Sequence, residues 1–412
     1  MAKAIEVEEA RREILSRVRV TGVEKVGLGE ALGRRLAVDA VAETPFQPFD
    51  NSAMDGFAVR SADVAAASED APVALTIVDE SRAGHPAERA LGPGEAIAIS
   101  TGAMLPTGAD AVVRVEDTDR DSVDRVLVRV AACAGKDVRY AGEDIAAGAT
   151  VLAAGAVLGA AELGALATIG ADPAMVRRRP TVAVVTSGDE LVGPGEPLGP
   201  GAIRNSNSRT LPALARLAGA EVVSVDWAAD DPAATREALG RALEADVVVV
   251  SGGVSVGEHD HVKGALDELG AEKVFWRVAL KPGGPTWFGT RGETLVFGLP
   301  GNPVSVMVTF LLFVRPALIA MAGGAPDGPR TTARLGATYE KPADRAHAAR
   351  ARLELTPEGW VVWPLRRRGS HVLTSMLAAD CLAYFPADAS MVKAGETIQI
   401  ELLDQSSTTL GR

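Results

Sequence analysis

Three short stretches combine a buried-strand pattern with residues able to handle an anion or a cation. Val247-Val248-Val249-Val250 is a β-branched, fully apolar run that suits a strand covered on both faces. It stops at Ser251-Gly252-Gly253, where the backbone can turn tightly and approach a ligand, and Glu258 and Asp260 follow. Val182 to Val185 runs in the same way into Thr186-Ser187-Gly188-Asp189-Glu190, and Thr294 to Phe297 runs into Gly298-Leu299-Pro300-Gly301-Asn302-Pro303. Three buried strands opening into small-residue loops describe one edge of a parallel α/β sheet. Ligands bind in the crevice outside that edge.

The loops admit some chemistries and exclude others. Gly252 to Gly257 is followed by Glu258-His259 where a P-loop requires Lys-Ser/Thr, and no GxGxxG follows a strand. Glycine-rich loops entering helices still suit a phosphate or another oxyanion, because backbone N–H groups converge there with the helix dipole behind them. Glu190, Asp230 and Asp260 each follow a predicted strand. Converging carboxylates without cationic partners invite a hard cation, and magnesium is the natural candidate. The competing reading is helix capping by Asp230 and Asp231 and a solvated loop for Glu190. Arg277 and Lys281 flank Pro282 to Pro285. On an extended chain residues four apart share a side, so both cations would face one anion. The alternative is a solvated basic edge. His259 and His261 bracket Asp260, a weak metal signal without further ligands in range.

The rest of the chain must position these loops. Strand 181–186, helix 207–218, strand 221–227, helix 232–243, strand 246–251, helix 260–269, strands 273–279 and 294–298, and helix 303–321 alternate as βαβ units do. Asp231-Pro232 is a good helix start, a capping residue before a first-turn proline. Residues 5–18 read as an amphipathic helix, 27–32 as a helical turn and 36–41 as a strand. Strands at 73–78, 95–99, 111–116 and 126–130 form a small β-rich domain. Residues 141–169 read as an Ala/Leu-rich helix able to pack on the N-terminal one, and Arg177 to Pro180 as a linker. Strands at 352–355, 360–364, 381–385 and 397–402 form a third, barrel-like unit. The expected fold is therefore α/β multidomain, with a central parallel-sheet domain at 180–326. It is flanked by an N-terminal helical/β domain (1–45 and 141–179), an inserted β-rich lid (46–140) and a C-terminal β-barrel-like domain (327–412).

Composition narrows the partners. The chain of 412 residues carries 42 basic and 54 acidic groups, a formal charge of −12, which disfavours wholesale binding to nucleic acid or an anionic membrane. Apolar content of 47% is that of a globular protein. The two cysteines, Cys133 and Cys381, form no CxxC and fit a reducing cytoplasm. The charged N-terminus does not read as a signal peptide. The apolar helix from Val304 meets Arg315-Pro316 after about 11 residues, too short to span a bilayer.

Taken together the motifs resemble a known family. Asn51-Ser52-Ala53-Met54-Asp55-Gly56-Phe57-Ala58, Ser100-Thr101-Gly102-Ala103, Gly142-Glu143-Asp144-Ile145, Thr186 to Leu191, Ser251 to Gly257 and Leu299 to Ser305 resemble, in order and over nearly the whole chain, the molybdopterin molybdenumtransferases, which include a domain of gephyrin. The resemblance implies a homodimer that uses adenylylated molybdopterin and molybdate, releasing AMP with the help of Mg2+. It also implies dealings with the molybdopterin adenylyltransferase and with recipient molybdoenzymes.

By the same resemblance Glu190, Asp230 and Asp260 would hold magnesium. Ser187, Gly188, Ser251, Gly252 and Gly253 would line the pterin nucleotide, and Arg277 and Lys281 would draw in molybdate. Pro300, Pro303 and Ser305 would sit at the start of the following helix, and Arg350 and Ser370 near the molybdate site. Asp55, Thr101, Asp144, Asp260 and Lys281 would be catalytic. The family often has lysine where Gly284 and Arg277 stand. Competing functions are a molybdopterin adenylyltransferase, a non-catalytic scaffold and a magnesium-dependent phosphatase.

Overall fold

The computed structural model describes residues 4–254, 261–328, 330–367 and 369–403. By internal contacts the chain forms two compact units, one comprising Met1–Lys25, Gly33–Ala37 and Met175–Arg412, the other Val26–Leu32 and Val38–Ala174.

The first unit is built on a six-stranded sheet. Its strands are β1 (Thr181–Ser187), β2 (Glu221–Ala228), β3 (Val247–Ser251), β4 (Glu272–Trp276), β5 (Trp287–Arg291) and β6 (Thr294–Leu299), in the spatial order β2-β1-β3-β6-β5-β4. The first four in that order are parallel, whereas β5 is antiparallel to both of its neighbours, β6 and β4. The sheet is therefore mixed rather than wholly parallel. Strand β5 has no counterpart in the sequence reading, and β4 ends at Trp276 rather than at 279.

Helices α1 (Asn207–Leu217), α2 (Pro232–Ala242), α3 (His261–Glu268) and α4 (Pro303–Met321) cover the sheet. Val247 and Val249 pack with α1, α4 and the Val7–Leu15 helix on one face, and Val248 and Val250 pack with α2 and α3 on the other. All four valines are fully buried. Each such burial is worth about 1.5–3 kcal/mol, an upper bound against a partly compact unfolded chain. A serine in this run would cost far more than the same change on a half-exposed strand.

Helix α4 runs through Arg315-Pro316, with a π-helical turn at Phe310–Val314. The proline sits where the wider turn already interrupts the regular ladder, so it does not stop the helix. The resulting 19-residue helix is long and apolar enough to cross a membrane, but 78% of its apolar window is buried inside the protein, as in a core helix.

Five strands, Arg330–Leu335, Ala346–Thr356, Gly359–Pro364, Cys381–Phe385 and Thr397–Leu402, close into a barrel in the same unit. The short strand Leu280–Lys281, just after β4, pairs with Ala346-His347 of the barrel. Arg177 to Pro180 is not a loose linker. A strand runs through Ala174–Arg177, and Arg178 clamps Asp246 through two bonds of 2.8 and 3.0 Å.

The second unit contains a six-stranded sheet ordered Ala111–Arg114, Gly56–Val59, Glu95–Ile99, Val73–Ser81, Arg125–Val128, Thr118–Ser122. Phe57, Leu75, Ala96 and Val126 fill its core. The expected helix over 141–169 is only Ala160–Thr168, preceded by a strand at Thr150–Leu152. Alanine-rich sequence favours helix, but Gly142, Gly148 and Gly155 sit at φ of 71°, 80° and 88° and turn the chain. The short helix packs on the turn Leu28–Glu30 within its own unit. The strand expected over 36–41 shrinks to Ala40–Val41, and that at 111–116 gives way to a 3-10 turn at Val115–Asp117.

Candidate functional site

Three loops meet beyond the carboxyl ends of β1, β3 and β6. The N–H of Gly252 donates to the Leu299 carbonyl at 3.1 Å, and a Cβ on Gly252 would lie 2.6 Å from the Ser187 carbonyl oxygen. Gly252 has φ 96°, so glycine is required there both for its conformation and for the close approach. Ser187, Gly188, Ser251, Gly252 and Gly253 are thereby brought together at this edge.

The acidic groups divide. Asp231 accepts from the Ala234 N–H at 2.8 Å and caps α2. Asp230 does not cap. It accepts from the Ser187 hydroxyl at 3.1 Å and from the Asp189 N–H at 3.3 Å, while its own N–H donates to the Asp189 carboxylate at 2.9 Å. Glu190 turns back over Gly188, its carboxylate oxygens 2.4 and 2.9 Å from where a Cβ on that glycine would lie. Glu190 and Asp230 therefore belong to one loop cluster. Asp260 and His259 lie outside the described residues, and His261 is the first residue of α3. Among the described residues no three acidic, histidine or cysteine groups form a ready-made metal site. Two carboxylates beside a glycine-rich loop still match what magnesium asks of a protein when ligand phosphates and water complete its shell.

Beside this cluster lies a cavity of about 610 Å³, whose walls include Lys281, Pro300, Asn302, Ser305, His347 and Ser370. The Pro300-Gly301-Asn302 loop joins the two regions, because Asn207 Nδ2 donates both to the Ser251 hydroxyl at 2.9 Å and to the Gly301 carbonyl at 2.7 Å. A smaller cavity of about 100 Å³ shares Lys281 and His347 and is also lined by Arg350.

Arg350 is buried and donates to Ser375 at 3.1 Å and to the Arg367 and Gly369 carbonyls at 3.0 and 3.1 Å, so it fixes the loop that carries Ser370. Burial holds its guanidinium below the usual value. The Ser370 carbonyl accepts from the Val304 N–H at 3.1 Å, in the first turn of α4. Pro303 starts that helix, and Ser305, buried in the same turn, reaches the cavity wall.

Arg277 is placed differently from the expectation. It has φ 77°, so the chain from 277 to 281 is not extended. Its guanidinium lies 4.7 Å from the Trp276 ring centroid, and it is absent from the lining of both cavities. The two cations do not face one anion together. Arg345 pairs with Asp344 at 2.5 Å, and Lys341 donates to three carbonyls at 3.0 to 3.2 Å, which leaves Lys281 as the wall cation best placed for a ligand.

In the second unit Asp55 accepts from the Thr101 N–H at 2.7 Å and from its hydroxyl at 3.1 Å. Asp144 lies on the exposed turn after Gly142, and no hydrogen bond ties it to that pair.

Sequence reasoning missed Asn205, Asn207, Asp189 and His347. Asn205-Ser206-Asn207 just before a helix reads as capping. Indeed Asn205 accepts from the Ser208 N–H at 3.0 Å, while its Nδ2 donates to Thr186 at 2.9 Å. His347 is buried, with Nδ1 3.1 Å from the Tyr339 hydroxyl. Burial, then the charges of Lys281 and Lys341, push it down to about 4.

A largely parallel sheet whose carboxyl edge gathers glycines, hydroxyls and two carboxylates beside a lysine-lined cavity defines an α/β protein with a polar crevice where such folds take their ligands. Comparison with known proteins narrows that class. Residues 5–170 match the MoeA N-terminal region (domain I and II), 183–320 a probable molybdopterin binding domain, and 332–403 the MoeA C-terminal region (domain IV). The chain is 40% identical over 402 residues to molybdopterin molybdenumtransferase 2 of Mycobacterium tuberculosis, covering 96% of this chain and 98% of that one. It is 33% identical over 411 residues to the molybdopterin molybdenumtransferase of Bacillus subtilis, covering 98% and 95%. The crystal structure of the molybdopterin biosynthesis MoeA protein of Pyrococcus horikoshii superposes with a TM-score of 0.85 at 33% identity, over 98% of this chain and 100% of that one. The chain belongs to the molybdopterin molybdenumtransferase (MoeA) family.

Proposed function

We propose that this enzyme inserts molybdate into adenylylated molybdopterin and releases AMP, the last step of molybdenum cofactor assembly. The observation that supports this most is the joining of two sites through one loop. A glycine-amide and hydroxyl edge suited to a phosphate lies beside a lysine-lined cavity suited to a tetrahedral oxyanion, and Pro300-Gly301-Asn302 belongs to both.

The anhydride is chemically poised. Molybdate brought beside the dithiolene puts the acceptor in place for transfer. Ser251 and the Gly253 amide hold the phosphates, Gly252 lines them through its close turn, and Lys281 supplies the charge that attracts molybdate against a chain of net −12. Ser305 and Ser370 add hydroxyls to the cavity wall. Glu190 and Asp230, with Asp260, would hold magnesium, which when bound neutralises charge developing on the leaving AMP. Asp55, Thr101 and Asp144 of the second unit are catalytic in the same reading. The four-part division at 1–45 with 141–179, 46–140, 180–326 and 327–412, the homodimer, the cytoplasmic setting and the dealings with the adenylyltransferase and recipient molybdoenzymes belong to the same reading.

The test is AMP release from adenylylated molybdopterin with and without micromolar molybdate. Release that depends on molybdate supports the reading. Release that ignores molybdate points to a phosphatase, and turnover of ATP with metal-free molybdopterin points to the preceding adenylylation.

A further inference from the structure

The amide of Asn207 is buried, with 9% of the residue exposed, and its orientation is fixed by its neighbours. The Gly301 carbonyl at 2.7 Å can only accept, so the nitrogen of the amide must face it. The second hydrogen of the same nitrogen then goes to Ser251 Oγ at 2.9 Å. Ser251 is itself 2% exposed and sits at the last position of β3, in register with Thr186 of β1 and Leu299 of β6. Because Oγ receives a hydrogen from Asn207, its own proton must point elsewhere, and no acceptor among the described residues takes it. Asn207 Oδ1 is also buried without a partner, so the amide is held for what its nitrogen does.

We propose that Asn207 is a positioning residue that sets the polarity of Ser251, committing its hydroxyl to donate to an anionic oxygen of the bound nucleotide, and that it holds the Gly301 loop in step with that donor. This rests on the reading that the edge binds the phosphates of adenylylated molybdopterin. A serine free to rotate offers lone pair or proton alike, and lone pairs repel phosphate. With Asn207 in place one of the two lone pairs is occupied, the proton is turned away from Asn207, and the ligand side is left to the donor. Asn207 joins residues 44 and 94 positions away, and so couples the phosphate loop to the cavity loop through one side chain.

The probe is AMP, the leaving nucleotide, titrated calorimetrically into the full-length protein. Asn207→Asp is nearly isosteric but cannot donate. It would accept the Ser251 proton and repel the Gly301 carbonyl. Its AMP dissociation constant should rise at least tenfold, and the KM for adenylylated molybdopterin should rise more than kcat falls. Asn207→Ala and Ser251→Ala should each weaken AMP several-fold, and the double variant should bind no worse than the weaker single one, because both remove the same donor. If Asn207→Asp melts without cooperativity, the Ala pair carries the test alone. Wild-type affinity in Asn207→Asp, or fully additive losses in the double variant, overturns the inference while leaving the function standing. Failure of the wild-type protein to bind AMP at all overturns the reading of the edge and this inference with it.

Discussion

Asp55 and Thr101 lie 46 residues apart, and one oxygen of the Asp55 carboxylate accepts both the N–H and the hydroxyl of Thr101, at 2.7 and 3.1 Å. A carboxylate fixed in this way cannot drift with its turn, although the Asp55-Gly56 dipeptide alone would read as ordinary turn chemistry. No group among the described residues donates to its second oxygen.

Asp55→Asn tests what that oxygen does. The amide oxygen can still accept from Thr101, so the loss of stability should be about 1 kcal/mol or less, the difference between a charged and a neutral acceptor. Molybdate-dependent AMP release should fall at least tenfold. Full activity in a variant that melts normally would reduce Asp55 to a structural residue.

Gly252→Ala should damage both fold and binding. The added Cβ would meet the Ser187 carbonyl at 2.6 Å, and φ 96° is strained for any L side chain. A cost of about 1–3 kcal/mol is expected from chemical unfolding, together with loss of AMP binding. Gly301→Ala is the control, because its Cβ would lie 3.8 Å from Gly252 Cα, ordinary contact distance.

Lys281→Ala should raise the molybdate concentration needed for half-maximal AMP release at least tenfold while changing the AMP dissociation constant less than threefold. The opposite pattern would mean that Lys281 serves the phosphate rather than the metal oxyanion.

His347 makes stability depend on pH. Its folded pKa, pushed down to about 4, lies below the ordinary value of 6.5, so the unfolded chain binds the proton more readily. Its contribution is complete above pH 6.5 and is lost as pH falls from there through about 4. Wild-type melting temperature should therefore drop more steeply between pH 6.5 and 5 than that of His347→Gln, a window above most carboxylate titrations. Equal slopes would remove the histidine from the account.

The sequence by itself determined the alternation of strands and helices, the four-valine strand, the Asp231-Pro232 helix start and the three loops at one sheet edge. These are local features, and hydrophobic period and turn residues record them directly. It misled where a local preference met a distant constraint. The Ala-rich 141–169 segment turns at glycines, the 277–281 segment bends at Arg277, and β5 is an antiparallel strand that follows a Pro-Gly loop.

Only the tertiary structure decided which polar groups meet. Asn207 bridging Ser251 and Gly301, Asp230 turning to Ser187 rather than capping its helix, and His347 buried beside Lys281 all depend on strand register and on which face each helix covers. Register is fixed by burying Val182, Val249 and Phe297 against α1 and α4, a property of the packed core that no single segment carries.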